Sequence, residues 1–264
     1  MSCCPPTSLP PMPTTSAKES MLMGTTNVFF YDNPASDRCV LVFPDVFGVD
    51  SGRTKDNCIR LSALYKVVLI EMNAANDFPL AEQDTPWPWP VEWIRKLVLQ
   101  VRIIKWARAR PFDKLQPKID HVVTYMKTHH NVAKFGAMGY CWGAWVVAKC
   151  STLPDTPLAC GISFHPSWRV EDVSTGWGKA AKLGDLIRVP QLVLSAGDDP
   201  AFVKPGNSVD MSLQSKPFES KLREFSTMTH GWVNRGDMTI PEVAQGVREA
   251  WDDEALPFLK LHLG

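Results

Sequence analysis

The sequence has no long apolar run and no excess of charge of either sign. No stretch approaches the ~18 consecutive apolar residues that a membrane-spanning helix needs, so no membrane partner is expected. Lysine plus arginine number 28, aspartate plus glutamate also number 28, and the formal net charge is zero. Since no long basic run is present either, the sequence lacks the electrostatic pattern of a nucleic-acid-binding protein.

Metal-binding and disulfide patterns are missing as well. No C-x-x-C pair and no H-E-x-x-H motif occurs, so no metal site is predicted. The chain has seven cysteines, and their odd number and irregular spacing argue against a disulfide framework. The stretch MSCCPPTSLPPMPTTSAKES has neither the basic nor the apolar region of a secretory signal, which predicts a cytoplasmic protein with reduced thiols.

The size and composition of the chain are those of a globular protein. It has 264 residues, of which 45% are hydrophobic and 21% charged, enough for one large α/β domain. Proline, serine and threonine dominate residues 1–25, which predicts a flexible N-terminal arm. Residues 26–264 show no internal repeat and no change in composition, so a single domain is predicted there. The sequence does not indicate an oligomeric state.

Strands and helices alternate along this domain. Continuous apolar runs such as RCVLVFPD (38–45), VVLIEM (67–72) and VAKFGAM (132–138) are typical of buried parallel strands. Helical spacing follows several of them, as at 53–65 and 91–108. This order predicts a mostly parallel sheet with helices on both faces. In such sheets the active groups gather at the carboxyl ends of the strands, where this sequence places Asp45, Cys141, His165, Asp198, Asp199 and His230.

The segment AMGYCWGAW (137–145) connects a predicted strand to a predicted helix. Gly139 and Gly143 bracket Cys141 in a G-x-C-x-G pattern, and glycines at this spacing let two backbone segments cross closely at a sharp turn. The thiol would then stand near a helix N-terminus, where the helix dipole favours the thiolate. Cys141 is therefore either a nucleophile or a buried, inert cysteine that only packs.

Two later strand ends supply the partners that a nucleophilic thiol needs. A histidine moves the proton and a carboxylate orients the histidine. The segment LSAGDDPAF carries Asp198 and Asp199, and FSTMTHGWVNRG carries His230. Nucleophile, acid and histidine follow one another in the order of the α/β-hydrolase fold. The pattern favours a Cys-Asp-His triad over three unrelated turn and core residues.

Four stretches resemble the dienelactone hydrolase family of carboxymethylenebutenolidase-like α/β-hydrolases: FPDVFGVDSG, MGYCWGAW, SAGDDPAF and THGWVNRGD. The resemblance runs from about residue 26 to the C-terminus. It implies an α/β-hydrolase fold and a Cys-Asp-His hydrolase that cleaves a small ester or lactone without metal or organic cofactor. Two alternatives remain open: a lapsed member that binds ligands or senses redox state through Cys141, and a broad carboxylesterase or thioesterase.

The resemblance also assigns roles around the triad. Ala196, Asp199 and Phe202 match the family spacing, which favours Asp199 over Asp198 as the acid. Asp45 stands where the family carries an acid that modulates the nucleophile, although a turn role is the alternative. By position, the backbone N–H groups of Val46 and Trp142 form the oxyanion hole.

Further residues are candidates for the substrate pocket. Trp87 and Trp89 form either a pocket wall or lid, or only packing for an insertion. His165 either lines the pocket or makes a structural hydrogen bond. Arg235 corresponds weakly to the arginines with which bacterial relatives hold a substrate carboxylate.

Overall fold

The computed structural model describes residues 5, 7–14, 16–72, 78–79 and 91–264. Eight strands form one sheet in the order β1-β2-β4-β3-β5-β6-β7-β8. They are β1 Met21–Met23, β2 Thr26–Tyr31, β3 Arg38–Phe43, β4 Lys66–Ile70, β5 Lys134–Tyr140, β6 Leu158–Phe164, β7 Gln191–Ala196 and β8 Lys221–Phe225. Strands β3 to β8 pair in parallel, whereas β2 is antiparallel to both β1 and β4. The predicted α/β architecture with a mostly parallel sheet is confirmed.

The central strands are apolar along their whole length because helices cover both faces of the sheet. In β3, Val40 and Val42 point into the core on one face and Leu41 into the core on the other. Leu41 pairs with Ala137 of β5 in the parallel register. Alternate side chains of a strand point to opposite faces, so a strand buried on both sides reads as a continuous apolar run.

The helices form two layers around this sheet. They are α1 Thr54–Ser62, α2 Val91–Arg108, α3 Phe112–His130, α4 Trp142–Thr152, α5 Val170–Thr175, α6 Leu183–Leu186, α7 Ser208–Gln214, α8 Trp232–Arg235, α9 Pro241–Arg248 and α10 Leu256–Leu263. One core packs α3 and α4 against the sheet, and the other packs α1, α9 and α10 against the opposite face. Within the described ranges, no helix combines the length and the apolar character needed to cross a membrane.

Two regions differ from the sequence-based expectations. The ordered chain does not start at residue 26, because Met21–Met23 pair with β2 as an additional edge strand. Apolar residues at helical spacing predict one helix over roughly 241–260, but a π-helical turn at Glu249–Ala255 divides it. Pro257, in the first turn of α10, lacks the N–H that a regular helix would bond four residues back, which accounts for an irregular turn just before it.

A sharp turn at Cys141 connects β5 to α4. Cys141 has a φ of 54° and a ψ of −112°, in the positive-φ region that non-glycine residues rarely adopt. The flanking backbones nearly touch: a Cβ on Gly139 would lie 2.3 Å from the carbonyl carbon of Gly143. A Cβ on Gly143 would lie 2.2 Å from the carbonyl oxygen of Phe43. The G-x-C-x-G spacing is therefore required by sterics on both sides of the cysteine.

We expect Gly143→Ala to lower the free energy of unfolding by about 4 kcal/mol or more, because its Cβ would collide with backbone that cannot rotate away. The matched control is Gly178→Ala, at a φ of 77° with no atom within 4 Å of the added Cβ. That variant should cost only about 1–2 kcal/mol of backbone strain. Urea unfolding measures both, and equal losses would contradict a steric requirement at the turn.

Candidate active site

Five strand ends bring their polar side chains to one place above the sheet. The loops after β3, β5, β6, β7 and β8 carry Asp45, Cys141, Ser167, Asp199 and His230, respectively. Each of these residues is at most 4% exposed. Burial in a low-dielectric environment strengthens the interactions among them and makes an unpaired member costly.

The imidazole of His230 is bound to a carboxylate on its Nδ1 side. Asp199 Oδ1 lies 2.6 Å from His230 Nδ1, and Asp199 Oδ2 accepts a hydrogen bond of 2.7 Å from the backbone N–H of Ala196. The neighbouring Asp198 binds the backbone of His230 instead of its ring, since Asp198 Oδ1 accepts a 2.7 Å hydrogen bond from the backbone N–H of His230. Asp199 therefore orients the ring, and Asp198 holds the loop that carries it.

The charge state of His230 follows from these neighbours. Burial lowers the pKa of the imidazole, but the negative charge of Asp199, the Cys141 sulfur and the hydrogen bonds to both groups outweigh it and raise the pKa to about 10. An imidazolium between a carboxylate and a sulfur is the arrangement expected when the sulfur has given up its proton.

Cys141 differs from the other described cysteines in its polar surroundings. Its Sγ lies 3.2 Å from the hydroxyl of Ser167, and the sulfur also interacts with the His230 ring. The other four described cysteines, Cys39, Cys58, Cys150 and Cys160, are buried, and burial raises the pKa of each thiol. Such thiols stay protonated and inert, so Cys141 is the described cysteine whose setting suits a nucleophile.

Asp45 is bound by several donors. Its carboxylate accepts hydrogen bonds from the backbone N–H of Phe47 at 2.9 Å, from Ser51 Oγ at 2.7 Å and from Asn234 Nδ2 at 2.9 Å. Arg235 Nε also lies 3.2 Å from Asp45 Oδ2 in a fully buried ion pair, although its N–H is not aligned for a hydrogen bond. The Asp45 side chain thus joins the β3 loop to the start of α1 and to α8.

The guanidinium of Arg235 is also covered by a segment that we call the N-terminal strap, residues 7–13. Arg235 Nη1 donates hydrogen bonds to the carbonyl oxygens of Leu9 and Pro10, and Arg235 Nη2 donates one to Ser8 Oγ. The strap extends to the loop after β8, where Leu9 N–H donates to the carbonyl of His230 at 3.0 Å. Part of the segment predicted to be a flexible arm therefore contacts the site.

The strap is further held by Thr7, whose hydroxyl donates to Asp198 Oδ2. At its other end, Met12 accepts a hydrogen bond from the N–H of Gly52, and Pro13 bridges to Ser51. Because these contacts reach the loops after β3, β7 and β8, the strap links three of the segments that carry site residues.

The positions predicted for the oxyanion hole lie next to the turn. Trp142 is the first residue of α4, and the first N–H groups of a helix have no acceptor within the helix. The end of β3 lies directly against this turn, as the short distance between Gly143 and the Phe43 carbonyl shows. Val46 follows three residues later and is buried. The two positions predicted for the oxyanion hole therefore lie in loops that approach each other at the turn.

The remaining predicted pocket residues have different outcomes. His165 is buried with its ring centroid 4.9 Å from that of His230 and 5.4 Å from that of Trp232. Burial, and then the charges of His230 and Arg235, holds the pKa of His165 well below its usual value, so a neutral ring packs against His230. Trp87 and Trp89 lie outside the described residues. In the described part of the chain, no group of three or more His, Cys, Asp or Glu side chains is suited to hold a metal ion.

Sequence reasoning missed three contributors to this site. Ser167 follows the end of β6 by three residues, so it carries the same signal as the other candidates, a polar residue just after a strand. Asn234 lies within the THGWVNRGD stretch, but its contact with Asp45 has no local signal. No sequence signal indicated that the strap contacts the site, because a proline-rich composition predicts disorder.

A family model and the curated relatives of this chain indicate the same family. The model of the dienelactone hydrolase family matches residues 26–263. A carboxymethylenebutenolidase homolog of Xenopus tropicalis is 26% identical over 221 residues, which cover 82% of this chain and 79% of that protein.

Two solved structures show the same fold. The crystal structure of a dienelactone hydrolase-like promiscuous phosphotriesterase from metagenomic libraries has a TM-score of 0.52 at 18% identity, covering 94% of this chain and 98% of that one. An esterase of Pyrococcus furiosus has a TM-score of 0.54 at 14% identity, covering 90% and 88%.

The roles assigned to the two aspartates predict different effects on the His230 ring. Asp199→Asn should lower the pKa of His230 by about 1–3 units, because it removes the adjacent negative charge that favours the imidazolium. Asp198→Asn should change it much less, since Asp198 bonds the backbone of His230. NMR titration of the ring nitrogens measures both variants, and equal shifts would contradict the assignment.

Removing the strap should destabilise the protein. Deleting residues 1–14 removes the hydrogen bonds that join the strap to Arg235, His230, Asp198 and Gly52, and at a net value of about 1 kcal/mol for each bond we expect a loss of roughly 3–5 kcal/mol. Urea unfolding measures it. Deletion of residues 1–4 alone removes none of the described contacts and is the control; if the two deletions behave alike, the strap does not stabilise the site.

Proposed function

The chain belongs to the dienelactone hydrolase family and is a hydrolase of ester or lactone bonds, and we propose that it acts through a Cys141-His230-Asp199 triad and a thioester intermediate. The observation that carries this proposal is the continuous chain of contacts from the Asp199 carboxylate through the His230 ring to the sulfur on the strained turn. The proposed substrate is a small ester or lactone.

The first half of the reaction forms the acyl-enzyme. The Cys141 thiol transfers its proton to His230 Nε2, and the thiolate attacks the carbonyl carbon of the substrate. The carbonyl oxygen becomes an oxyanion that the backbone N–H groups of Val46 and Trp142 stabilise. Collapse of this intermediate breaks the bond to the leaving oxygen, which takes the proton from His230, and leaves the acyl group on sulfur.

The second half releases the acyl group. His230 removes a proton from water, the resulting hydroxide attacks the thioester carbonyl, and the thiolate departs. Asp199 keeps Nδ1 protonated in both halves, so that Nε2 always faces the reacting atoms. All of these steps use groups of the chain and water.

We also propose roles for Asp45 and Arg235. The buried pair fixes the loop that carries Val46 relative to α8, because its partners Phe47, Ser51 and Asn234 come from both sides. That Asp45 also modulates the protonation of Cys141 stays a prediction. A contact between Arg235 and the substrate also stays a prediction, since the terminal nitrogens of Arg235 donate hydrogen bonds to the strap.

A leaving-group comparison tests the thioester mechanism. A thiolate leaves more readily than an alkoxide, so an intermediate built on sulfur expels the sulfur unless the other leaving group is also good. Aryl esters and enol lactones meet this condition and alkyl esters do not. We therefore expect a higher ratio of aryl-ester to ethyl-ester kcat/KM for the native chain than for Cys141→Ser. Cys141→Ala should lose at least about 10³-fold in kcat/KM on the aryl ester.

Equal aryl-to-ethyl ratios in the native chain and in Cys141→Ser would mean that the sulfur does not set the leaving-group preference, and would leave the lactone assignment resting on family resemblance alone. Alkylation of Cys141 in a chain that turns over none of a panel of lactones, aryl esters and thioesters would contradict hydrolysis. That result would favour the alternative of a ligand-binding or redox-sensing protein.

A further inference from the structure

A fourth polar side chain, Ser167, contacts both the proposed nucleophile and its base. The hydroxyl of Ser167 is 3.2 Å from Cys141 Sγ and 3.5 Å from His230 Nε2. All three residues are at most 1% exposed. The triad as proposed from the family pattern does not include this hydroxyl, although it lies next to both atoms that exchange the proton.

The backbone holds Ser167 in register with the nucleophile. Its N–H donates a 3.0 Å hydrogen bond to the carbonyl of Cys141, while the N–H of Cys141 donates one of 3.0 Å to the carbonyl of Phe164. Trp168, the next residue, anchors the loop through a 3.0 Å hydrogen bond from its indole N–H to the carbonyl of Ala144. The loop after β6 is thus joined to the turn on both sides of the sulfur, and the position of the hydroxyl is set by the same backbone that sets the thiol.

A hydroxyl suits both protonation states of the pair. It has one proton to donate and two lone pairs that accept. When Cys141 is a thiolate and His230 an imidazolium, Nε2–H can donate to Ser167 Oγ while the Ser167 O–H donates to the sulfur. When both are neutral, the thiol donates to Oγ and the O–H donates to Nε2. Passing between these states moves one proton from sulfur to Oγ and one from Oγ to Nε2, and the hydroxyl ends unchanged.

The Ser167 hydroxyl stabilises the thiolate–imidazolium state of Cys141 and His230 more than it stabilises the neutral thiol–imidazole state. Hydrogen bonds in which donor or acceptor is ionised are about twice as strong as neutral ones, and in a buried site their strength is not lost to water. Replacing the serine hydroxymethyl group by a methyl group would leave the thiolate with one hydrogen-bond donor fewer.

We propose that Ser167 is a fourth catalytic residue, which donates a hydrogen bond to the Cys141 thiolate and shares the proton that passes between Cys141 and His230. This inference rests on the proposed nucleophilic role of Cys141 and adds to it the group that makes the thiolate available at lower pH.

The test is the pH dependence of Cys141 alkylation by iodoacetamide, read on the Cys141 peptide by mass spectrometry. In Ser167→Ala the pH midpoint should rise by about one to two units, which is the shift that corresponds to losing a hydrogen bond to a charged group. Ser167→Thr keeps the hydroxyl and should restore most of the shift. Ser163→Ala is the matched control, because Ser163 is equally buried and its hydroxyl bonds to the Ala144 carbonyl; its midpoint should equal that of the native chain.

Thermal unfolding of each variant shows whether the fold is intact. If Ser167→Ala does not fold, Ser167→Gly is measured in its place. The inference is overturned if the hydroxyl-free variant folds and its midpoint equals the native one, a result that would leave the proposed triad standing. If Cys141 of the native chain shows neither alkylation nor thiolate absorbance at any pH, the nucleophile itself is wrong and the inference fails with it. Ultraviolet absorbance of the thiolate, taken as the difference from Cys141→Ala, gives the same midpoints without depending on reagent access.

Discussion

The close backbone crossing at the Cys141 turn is the constraint on which the rest of the site depends. Residue 141 adopts a positive φ because β5 reverses directly into α4, and this is sterically feasible only where the flanking positions lack a Cβ. The crossing places the thiol above the ends of the parallel strands, at the positive end of a helix. The side chains that contact the sulfur, Ser167 and His230, come from loops at the same edge of the sheet.

Burial explains why these loops are connected so densely. A buried charge without a partner costs several kcal/mol, and two ion pairs, Asp199 with His230 and Asp45 with Arg235, lie within the site. Each carboxylate also accepts at least one further hydrogen bond, from a backbone N–H or a neutral side chain. Because the paired charges come from the loops after β3, β7 and β8, the geometry of the site and the stability of these three loops are coupled.

The strap extends this coupling to the N-terminal segment. Its carbonyl groups accept from the guanidinium of Arg235 at the outer side of the Asp45 pair, and its own N–H at Leu9 donates to the carbonyl of His230. Neutral acceptors on a guanidinium that is already paired with a carboxylate leave the local charge balanced. The N-terminal segment therefore contacts the site through the strap and, farther along the chain, adds the edge strand β1 to the sheet.

The sequence by itself determined the order of strands and helices and the strand ends that carry polar side chains. These features are local: continuous apolar runs identify β3 to β7, helical spacing gives α2 with its bounds at 91 and 108, and glycine spacing identifies the turn at Cys141. A short strand such as β1 has too few residues to show a period, and the π-helical turn within 241–260 cannot be distinguished from a regular helix by spacing.

Only the tertiary structure decided which side chains meet. Asp198 and Asp199 are adjacent, and the direction of each side chain depends on how the loop packs: one reaches the ring of His230 and the other its backbone N–H. Ser167 approaches the sulfur, and the strap approaches Arg235 from 226 residues away in the sequence. Such contacts form when distant segments pack together at once, and no periodicity within a single segment encodes them.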